Sequence, residues 1–137
     1  MSALNETVKQ CLSSPSKTSV LSTANKDGEC NIAIFGSFVW EGDSAIMLML
    51  GNNRTYANLK ENPRAALLVT LPGKTGPQTE GCRIYLKLRS VEDGGNTFDK
   101  IKAGVKARVG DRAEILKHLA IFDILETRPI VDMGQWK

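Results

Sequence analysis

The spacing of apolar and polar residues in the first third of the chain predicts strands joined by tight turns. Residues 18–24 are rich in β-branched and small residues. The Asn-Lys-Asp-Gly segment at 25–28 is a hairpin signal, because Asp-Gly tolerates the positive φ of such a turn. Residues 30–40 read as a second, long strand, in which Gly36 indicates a bulge or a close backbone approach. Residues 45–50 are apolar without interruption, which predicts a buried strand.

A helix and two further strands are predicted in the middle of the chain. Asn53 is a natural N-cap for a helix over residues 54–61. Asn62-Pro63 ends that helix, because the residue before a proline avoids the α region. Residues 65–71 form another apolar run of strand length, and residues 81–92 alternate in part, as expected for a strand with one face in water.

Helical spacing appears at both ends of the chain. Residues 4–12 predict a short amphipathic helix. Phe98, Ile101, Lys102 and Val105 fit one face of a second helix. A third is predicted over residues 112–119, with Asp111 as its N-cap and with Ile115, Leu116 and Leu119 facing inward. Residues 120–128 are predicted to form the last strand.

The order of these elements predicts a mainly β fold with some α (α+β). Consecutive hairpins argue for an antiparallel sheet. Six strands of uneven length close most easily into a barrel, because closure removes exposed strand edges. We therefore predict a six-stranded antiparallel β-barrel with short flanking helices.

Length, charge and composition narrow the range of functions. The chain has 137 residues, which fits one domain over residues 1–137. Its net charge of +3 comes without a block of like charges, and its few aromatic residues do not alternate with basic ones on a predicted sheet face, which disfavours nucleic-acid binding. The apolar run at 47–50 is far too short to cross a membrane. We expect a cytoplasmic protein with neither nucleic acid nor a membrane as its partner.

Candidates for metal binding and acid–base catalysis are few. Cys11, Cys30 and Cys82 are far apart and form no CxxC site or disulfide framework, so we expect three reduced thiols. The only histidine, His118, falls on the helix predicted over residues 112–119, beside Lys117, where we expect a surface or partly packed side chain. Neither HExxH, nor GxSxG, nor a Walker loop occurs. The sequence thus offers no metal site and no catalytic acid or base.

The loop Gly51-Asn52-Asn53-Arg54-Thr55 is the strongest candidate for ligand binding. It lies between a buried strand and the start of a helix, where unpaired backbone N–H groups favour a phosphate. Arg54 adds a bidentate partner for phosphate oxygens, and Thr55 adds a hydroxyl donor. The simpler alternative is that Asn53 only caps the helix and Arg54 is solvated. A basic residue in a first helical turn is unfavourable for the helix dipole, which favours an anion nearby.

Several segments, in this order, resemble the FMN-binding split-barrel superfamily, which includes pyridoxamine 5'-phosphate oxidase and small bacterial FMN-binding proteins. The segments are Val20–Thr23 with Lys26–Gly28, Asn31–Phe38, and Asn53–Leu59 with Asn62–Leu67. The most specific part is the pattern basic-Thr-x-x-Asn-Leu…Asn-Pro-Arg. The resemblance covers residues 15–92 well and the remainder in outline, and the chain is similar in length to the minimal FMN-binding proteins.

The resemblance implies a split barrel that binds FMN, and it implies roles for particular residues. Arg54 and Thr55 match the phosphate-binding pair, and Leu50 and Gly51 match the strand end beside the flavin. Ala33, Ile34 and Phe35 match the strand segment whose backbone faces the isoalloxazine edge. Family members often have polar residues at the positions of Ala33 and Ile34, so backbone groups would supply the hydrogen bonds here. Plain core packing is the alternative for Ile34 and Phe35.

The resemblance also implies an assembly and an activity. Family members are usually homodimers, with FMN near the subunit interface. The implied function is FMN-dependent electron or hydride transfer, as an oxidoreductase or an electron-transfer protein, with the redox chemistry supplied by the flavin. The alternative is a non-enzymatic binding module for FMN, haem or another phosphorylated ligand. In family members the tail often approaches the partner's flavin, so Trp136 either stacks on the ring or belongs to a disordered terminus.

Overall fold

The computed structural model describes residues 6–35, 38–42 and 44–131 of the chain. These residues form three α-helices, seven strands and two short 3-10 turns. In chain order the helices and strands are α1 (Glu6–Ser13), β1 (Thr18–Ala24), β2 (Cys30–Ile34), β3 (Val39–Glu41), β4 (Ala45–Leu50), α2 (Arg54–Glu61), β5 (Arg64–Leu71), β6 (Glu80–Glu92), α3 (Asn96–Val109) and β7 (His118–Pro129). The 3-10 turns are Gly76–Gln78 and Gly110–Ile115.

The described strands form one sheet in the order β2-β1-β5-β6-β7-β4-β3. Every pairing between neighbours is antiparallel. The long pair β6 and β7 is interrupted by register shifts between Tyr85 and Leu86 and between Leu88 and Ser90. Such irregularities bend strands and increase their twist, which curves the sheet around its core. The predicted mainly β, antiparallel architecture is confirmed, with seven strands instead of six.

The additional strand arises from residues 30–40, where the prediction of a single long strand is wrong. β2 ends at Ile34 and pairs with β1 at one edge of the sheet. β3 begins at Val39 and pairs with β4 at the other edge. The chain therefore crosses between the two edges, and a single regular strand cannot do so. Gly36, where we predicted a bulge, lies outside the described residues.

Both faces of β4 are covered, which explains why all six of its residues are buried. Ile46, Leu48 and Leu50 belong to the main core, which α1, α2 and strands β1, β5, β6 and β7 complete. Met47 and Met49 belong to a second cluster on the opposite face, packed against α3. From α3 this cluster includes Phe98, Ile101 and Val105, which confirms the predicted helix face. A strand with two buried faces reads as an unbroken apolar run, as the sequence predicted.

The predicted helix over residues 112–119 is wrong. Gly110–Ile115 forms a 3-10 turn, and β7 begins at His118. β7 is hydrogen-bonded to β4 from its first residue, so a pairing between segments distant in sequence overrides the local helical spacing. Ile115, predicted to face inward, is 70% exposed. Asp111 lies within the turn and caps no helix.

Two predictions concern the chain ends. α1 begins at Glu6 among the described residues and buries Val8 and Leu12 as predicted, whereas Leu4 lies outside them. Trp136 also lies outside the described residues.

Of the helices in the described part of the chain, none is long and apolar enough to cross a membrane.

Candidate functional site

The start of α2 has the geometry predicted for an anion-binding loop. Asn53 is the N-cap, and its side chain accepts a hydrogen bond from the Tyr56 N–H at 2.9 Å. The Ala57 N–H donates to the Asn53 carbonyl oxygen at 3.0 Å. The N–H groups of Arg54 and Thr55 lie in the first turn, where a helix supplies no acceptor. These two donors and the positive end of the helix dipole are therefore available to a negatively charged group.

The Arg54 side chain is not used by the fold. Arg54 is exposed, and within the described residues its guanidinium forms no ion pair or hydrogen bond. α2 has no acidic residue in its first turn to offset this charge. A cation at a helix N-terminus costs the helix a few tenths of a kcal/mol to about 1 kcal/mol. A bound anion at this position would remove that cost.

Two side-chain hydrogen bonds hold α2 against the sheet. Thr55 is only 2% exposed, and its Oγ1 accepts from Asn31 Nδ2 of β2 at 3.4 Å. Asn58, also buried, donates through Nδ2 to Thr23 Oγ1 of β1 at 3.2 Å. The Thr55 hydroxyl is thus part of the α2–β2 contact. The hydroxyl is the acceptor in this contact and keeps its own O–H donor, beside the backbone N–H of Thr55.

Leu50 and Gly51 connect the loop to the core. Leu50 is fully buried in the main core, and its carbonyl accepts the Lys117 N–H at 2.9 Å. Gly51 is buried as well, and a Cβ at this position would lie 3.0 Å from the Ile115 carbonyl oxygen. The loop therefore runs directly against the segment that leads into β7. Only a residue without a side chain fits there without displacing that segment.

We expect Gly51→Ala to lower the free energy of unfolding by about 1–3 kcal/mol, a typical cost of adding a methyl group to a closely packed position. Urea denaturation measures it. Gly94→Ala is the matched control, because nothing lies within 4 Å of its Cβ position. Unfolding of Gly51→Ala at the same urea concentration as the wild type would contradict the close contact with Ile115.

The predicted ring-facing residues lie on β2, an edge strand in the described part of the sheet. Ile32 and Ile34 are 71% and 73% exposed. Ala33 is half-buried and pairs with Leu21 of β1. Phe35 follows the end of the strand, and its side chain packs against the main core. Core packing was the alternative interpretation of this residue.

The hydrogen bonding of β2 determines which of these residues have backbone groups that a ligand can reach. The Phe35 N–H donates to the Ser19 carbonyl oxygen of β1 at 2.9 Å. In an antiparallel pair, successive residues turn their backbone groups alternately toward and away from the partner strand. Since Phe35 faces β1, Ala33 does too, and the N–H and C=O of Ile34 face the open edge. Ile34 is thus the predicted β2 residue whose backbone groups a ligand can reach.

A polar cluster around His118 lies behind the loop, and the sequence analysis missed it. His118 is the first residue of β7 and is 8% exposed, so its predicted place on a helix is wrong. Its ring stacks on that of Tyr56, with centroids 3.7 Å apart and planes 9° apart. Nδ1 lies 2.6 Å from Asp93 Oδ1, and Nε2 lies 2.7 Å from Asn52 Oδ1. The ring therefore links the loop before α2 to the turn between β6 and α3.

No local signal in the sequence points to this cluster. Asn52, Tyr56, Asp93 and His118 are brought together because β4 and β6 both pair with β7 near its start. That pairing places the residues that follow β4 and β6 beside the first residue of β7. Knowledge of the sheet register would have been needed to find it.

Metal binding finds no support in the described residues. Within them, no group of three His, Cys, Asp or Glu residues could hold a metal ion. All three cysteines are free. Cys11 and Cys82 are hydrogen-bonded to each other in the main core. This hydrogen bond lowers the pKa of Cys11, burial raises it, and the positive charge of Lys17 lowers it. The same hydrogen bond, with burial, raises the pKa of Cys82. Cys30 is exposed on β2.

Comparison with known proteins identifies relatives over almost the whole chain. A family model described as pyridoxamine 5'-phosphate oxidase matches residues 4–130. Among solved structures, an FMN-binding protein from Syntrophomonas wolfei subsp. wolfei is 28% identical in sequence, with a TM-score of 0.78. That match covers 92% of this chain and 87% of the other. Among curated protein sequences, none matches.

Two more distant structures share the fold. HutZ, described as the haem storage protein from Vibrio cholerae, is 15% identical and has a TM-score of 0.67, with 94% of this chain and 95% of the other covered. A structure described as F420 reductase is also 15% identical with a TM-score of 0.67, and the match covers 91% of this chain and 98% of the other. These likenesses confirm the split-barrel fold that the resemblance implied. The ligands in their descriptions differ from one protein to the next.

Proposed function

Because this chain belongs to the pyridoxamine 5'-phosphate oxidase family, we propose that it binds FMN with the phosphate at the Gly51–Thr55 loop and the flavin ring along the open edge of β2. The protein from Syntrophomonas wolfei, at 28% identity, is described as FMN-binding, which supports a flavin over the other ligands in this fold. The proposed activity is FMN-dependent electron or hydride transfer.

The observation that carries the proposal is the unpaired positive charge at the start of α2. The Arg54 side chain is exposed and makes no ion pair within the described residues. It stands beside two first-turn N–H groups, its own and that of Thr55. A guanidinium with adjacent backbone donors suits a phosphate, which needs several charge-assisted hydrogen bonds from different directions. Asn53 supports the site by capping the helix from which these donors project.

The flavin ring would be held by backbone groups and apolar contact. Ile34 turns its N–H and C=O to the open edge of β2, and such groups pair with the donors and acceptors of the flavin pyrimidine edge. The α2–β2 hydrogen bond between Thr55 and Asn31 fixes this strand relative to the phosphate loop. Leu50 and Gly51 provide the buried strand end from which the loop departs.

The chain itself performs binding and orientation. When bound, FMN supplies the redox chemistry, and the protein's contribution is the position and surroundings of the ring. The described residues around the proposed site contain no side chain that we assign as a catalytic acid or base. His118, the one nearby candidate, is buried with both ring nitrogens hydrogen-bonded.

The second candidate is a non-enzymatic binding module for FMN, haem or another phosphorylated ligand. Haem is included because HutZ, which shares the fold, is described as a haem storage protein. One observation argues against histidine-ligated haem in this chain. A histidine that ligates iron needs one ring nitrogen free, and His118 is the only histidine of the chain. Its Nδ1 faces Asp93 and its Nε2 faces Asn52, so haem ligation would require this cluster to break.

Purification followed by identification of the bound chromophore tests the proposal. We expect a yellow protein that carries flavin absorbance bands, and a released cofactor with the mass of FMN. Anaerobic addition of NADH or NADPH then separates the two candidates, because an oxidoreductase that uses either donor bleaches the bands. A protein that releases haem, or one that fails to bind added FMN, would overturn the FMN assignment.

We expect a homodimer in solution. Ile32 and Ile34 are more than two-thirds exposed on an edge strand, and pairing of two subunits over such a strand removes apolar surface from water. Sedimentation velocity at micromolar concentration measures the mass. Ile32→Lys with Ile34→Lys should shift the protein toward the monomer, whereas a wild-type monomer saturated with FMN would contradict a shared interface.

A further inference from the structure

Asn52 is the residue of the Gly51–Thr55 loop whose side chain contacts His118. Its Oδ1 lies 2.7 Å from His118 Nε2. His118 Nδ1 is 2.6 Å from Asp93 Oδ1 on the opposite side of the ring. In this geometry each ring nitrogen faces an acceptor atom, the Asn52 amide oxygen at Nε2 and the Asp93 carboxylate oxygen at Nδ1.

This arrangement fixes the direction of the Asn52 amide. An asparagine amide has one acceptor end and one donor end. His118 occupies the acceptor end, and within the described residues the Nδ2 group has no hydrogen-bond partner. Asn52 is itself exposed, two positions before the Arg54 side chain. The free donor end therefore belongs to the outer part of the loop, where the phosphate is proposed to bind.

We propose that Asn52 is a phosphate-binding residue that donates through Nδ2, and that His118 is the positioning residue that holds its amide in the donating direction. The inference rests on the proposed FMN site and adds to it a residue outside the pattern that the family resemblance matched. It specifies a ligand that carries an anionic phosphate, and it assigns His118 no contact with that ligand.

The packing around His118 suits a positioning role. The ring is held face to face against Tyr56 of α2, and the Lys60 ammonium lies 4.7 Å from the centroid of the Tyr56 ring. Asp93 is 65% exposed in its side chain and fixes the Nδ1 side of the imidazole. Contacts on one ring face and at both nitrogens fix the orientation of the ring, and with Asn52 Oδ1 at Nε2 the amide nitrogen points away from His118.

Titration of FMN and of riboflavin into matched variants tests the inference. We expect Asn52→Ala to weaken FMN binding about tenfold, the loss of one hydrogen bond to a charged group, and to leave riboflavin binding unchanged. His118→Phe keeps an aromatic ring on Tyr56 but removes both ring nitrogens, and we expect a loss of similar size. The double variant should be no weaker than either single one, because both act through the same amide. Asp27→Asn in the exposed 25–28 turn is the control and should match the wild type.

Two further measurements guard against a merely structural effect. Because His118 is the only histidine, ¹H–¹⁵N spectra of the imidazole need no assignment by mutation, and Nε2 should carry a proton in the FMN complex, as donation to Asn52 Oδ1 requires. His118→Gln retains a side-chain donor and should recover part of the affinity. Full FMN affinity in Asn52→Ala, or additive losses in the double variant, would overturn the inference while the FMN site stands. A wild type without FMN affinity would instead overturn the proposed function.

Discussion

Replacement of Arg54 by alanine should weaken FMN binding by about one to two orders of magnitude and leave the fold intact. A hydrogen bond to a charged group contributes about 1.5–3 kcal/mol, and each 1.4 kcal/mol is about a tenfold change in affinity. Arg54 is exposed and unpaired within the described residues, so its loss breaks no contact of the folded chain. Its removal also takes a cation away from a helix N-terminus, which should slightly stabilise α2.

Fluorescence titration with FMN measures this effect, and two comparisons make it specific. Arg108→Ala removes an equally charged, exposed side chain from α3 and should bind FMN like the wild type. Riboflavin lacks the phosphate, so its affinity should be nearly the same with and without Arg54. Equal weakening of FMN and riboflavin by Arg54→Ala would mean structural damage, and the assignment of Arg54 to the phosphate would be wrong.

Of the glycine-to-alanine substitutions for which we make predictions, Gly81→Ala should cause the largest loss of stability. Gly81 has a φ of +153°, and a Cβ at this position would lie 2.0 Å from the Val69 carbonyl oxygen. The neighbouring atom belongs to the backbone of β5, which pairs with β6 at this point and cannot move aside locally. Backbone strain and overpacking each cost about 1–3 kcal/mol. We expect the free energy of unfolding to fall by about 3 kcal/mol and Tm by about 10 °C.

Gly104→Ala is the control for this prediction. Gly104 lies inside α3, no atom lies within 4 Å of its Cβ position, and its φ is outside the glycine-favouring region. Alanine is the better helix former by about 0.5–1 kcal/mol, so this variant should be slightly more stable than the wild type. Calorimetry on both variants measures the difference. A Gly81→Ala protein as stable as the wild type would contradict the close approach of β5 and β6.

Local patterns in the sequence predicted the elements that local chemistry determines. α2 begins after Asn53 and ends before Asn62 as predicted, because an N-cap side chain and a proline act within a few residues of themselves. The hairpin after β1 has Gly28 at a φ of +82°, the conformation that its Asp-Gly signal predicts. The uninterrupted apolar run of β4 correctly predicted a strand covered on both faces.

The wrong predictions have a different physical cause, which is pairing between segments that are distant in the sequence. β2 and β3 read as one strand because their apolar residues are nearly continuous, and only the sheet order reveals that they occupy opposite edges. The residues after Ile115 have helical spacing, but β7 gains more from hydrogen bonds to β4 and β6. The environment of His118 was missed for the same reason, since Asn52 and Asp93 reach it only through that pairing. Periodicity within one segment contains no information about register between segments.

The residues that we propose as ligand-binding differ in the same way. Arg54 was found from its place at a helix start, which is a local feature, and the family pattern pointed to it as well. Donation from the Thr55 hydroxyl to the phosphate stays a prediction, and the contact in which this hydroxyl accepts from Asn31 depends on another element. The exposed backbone of Ile34 depends on which edge of β2 faces β1. The sequence therefore predicts the loop, and the tertiary structure determines which of its groups have partners elsewhere in the fold.

The affinities of the wild-type protein for FMN and riboflavin, measured side by side, are the strongest test of the proposed phosphate site. The two ligands share the flavin ring and differ in the phosphate. We predict that FMN binds at least tenfold more tightly than riboflavin, because Arg54 and the first-turn N–H groups of α2 act on the phosphate alone. Equal affinity for the two ligands would contradict the phosphate site at Gly51–Thr55, and no binding of either would contradict the assignment of a flavin to this chain.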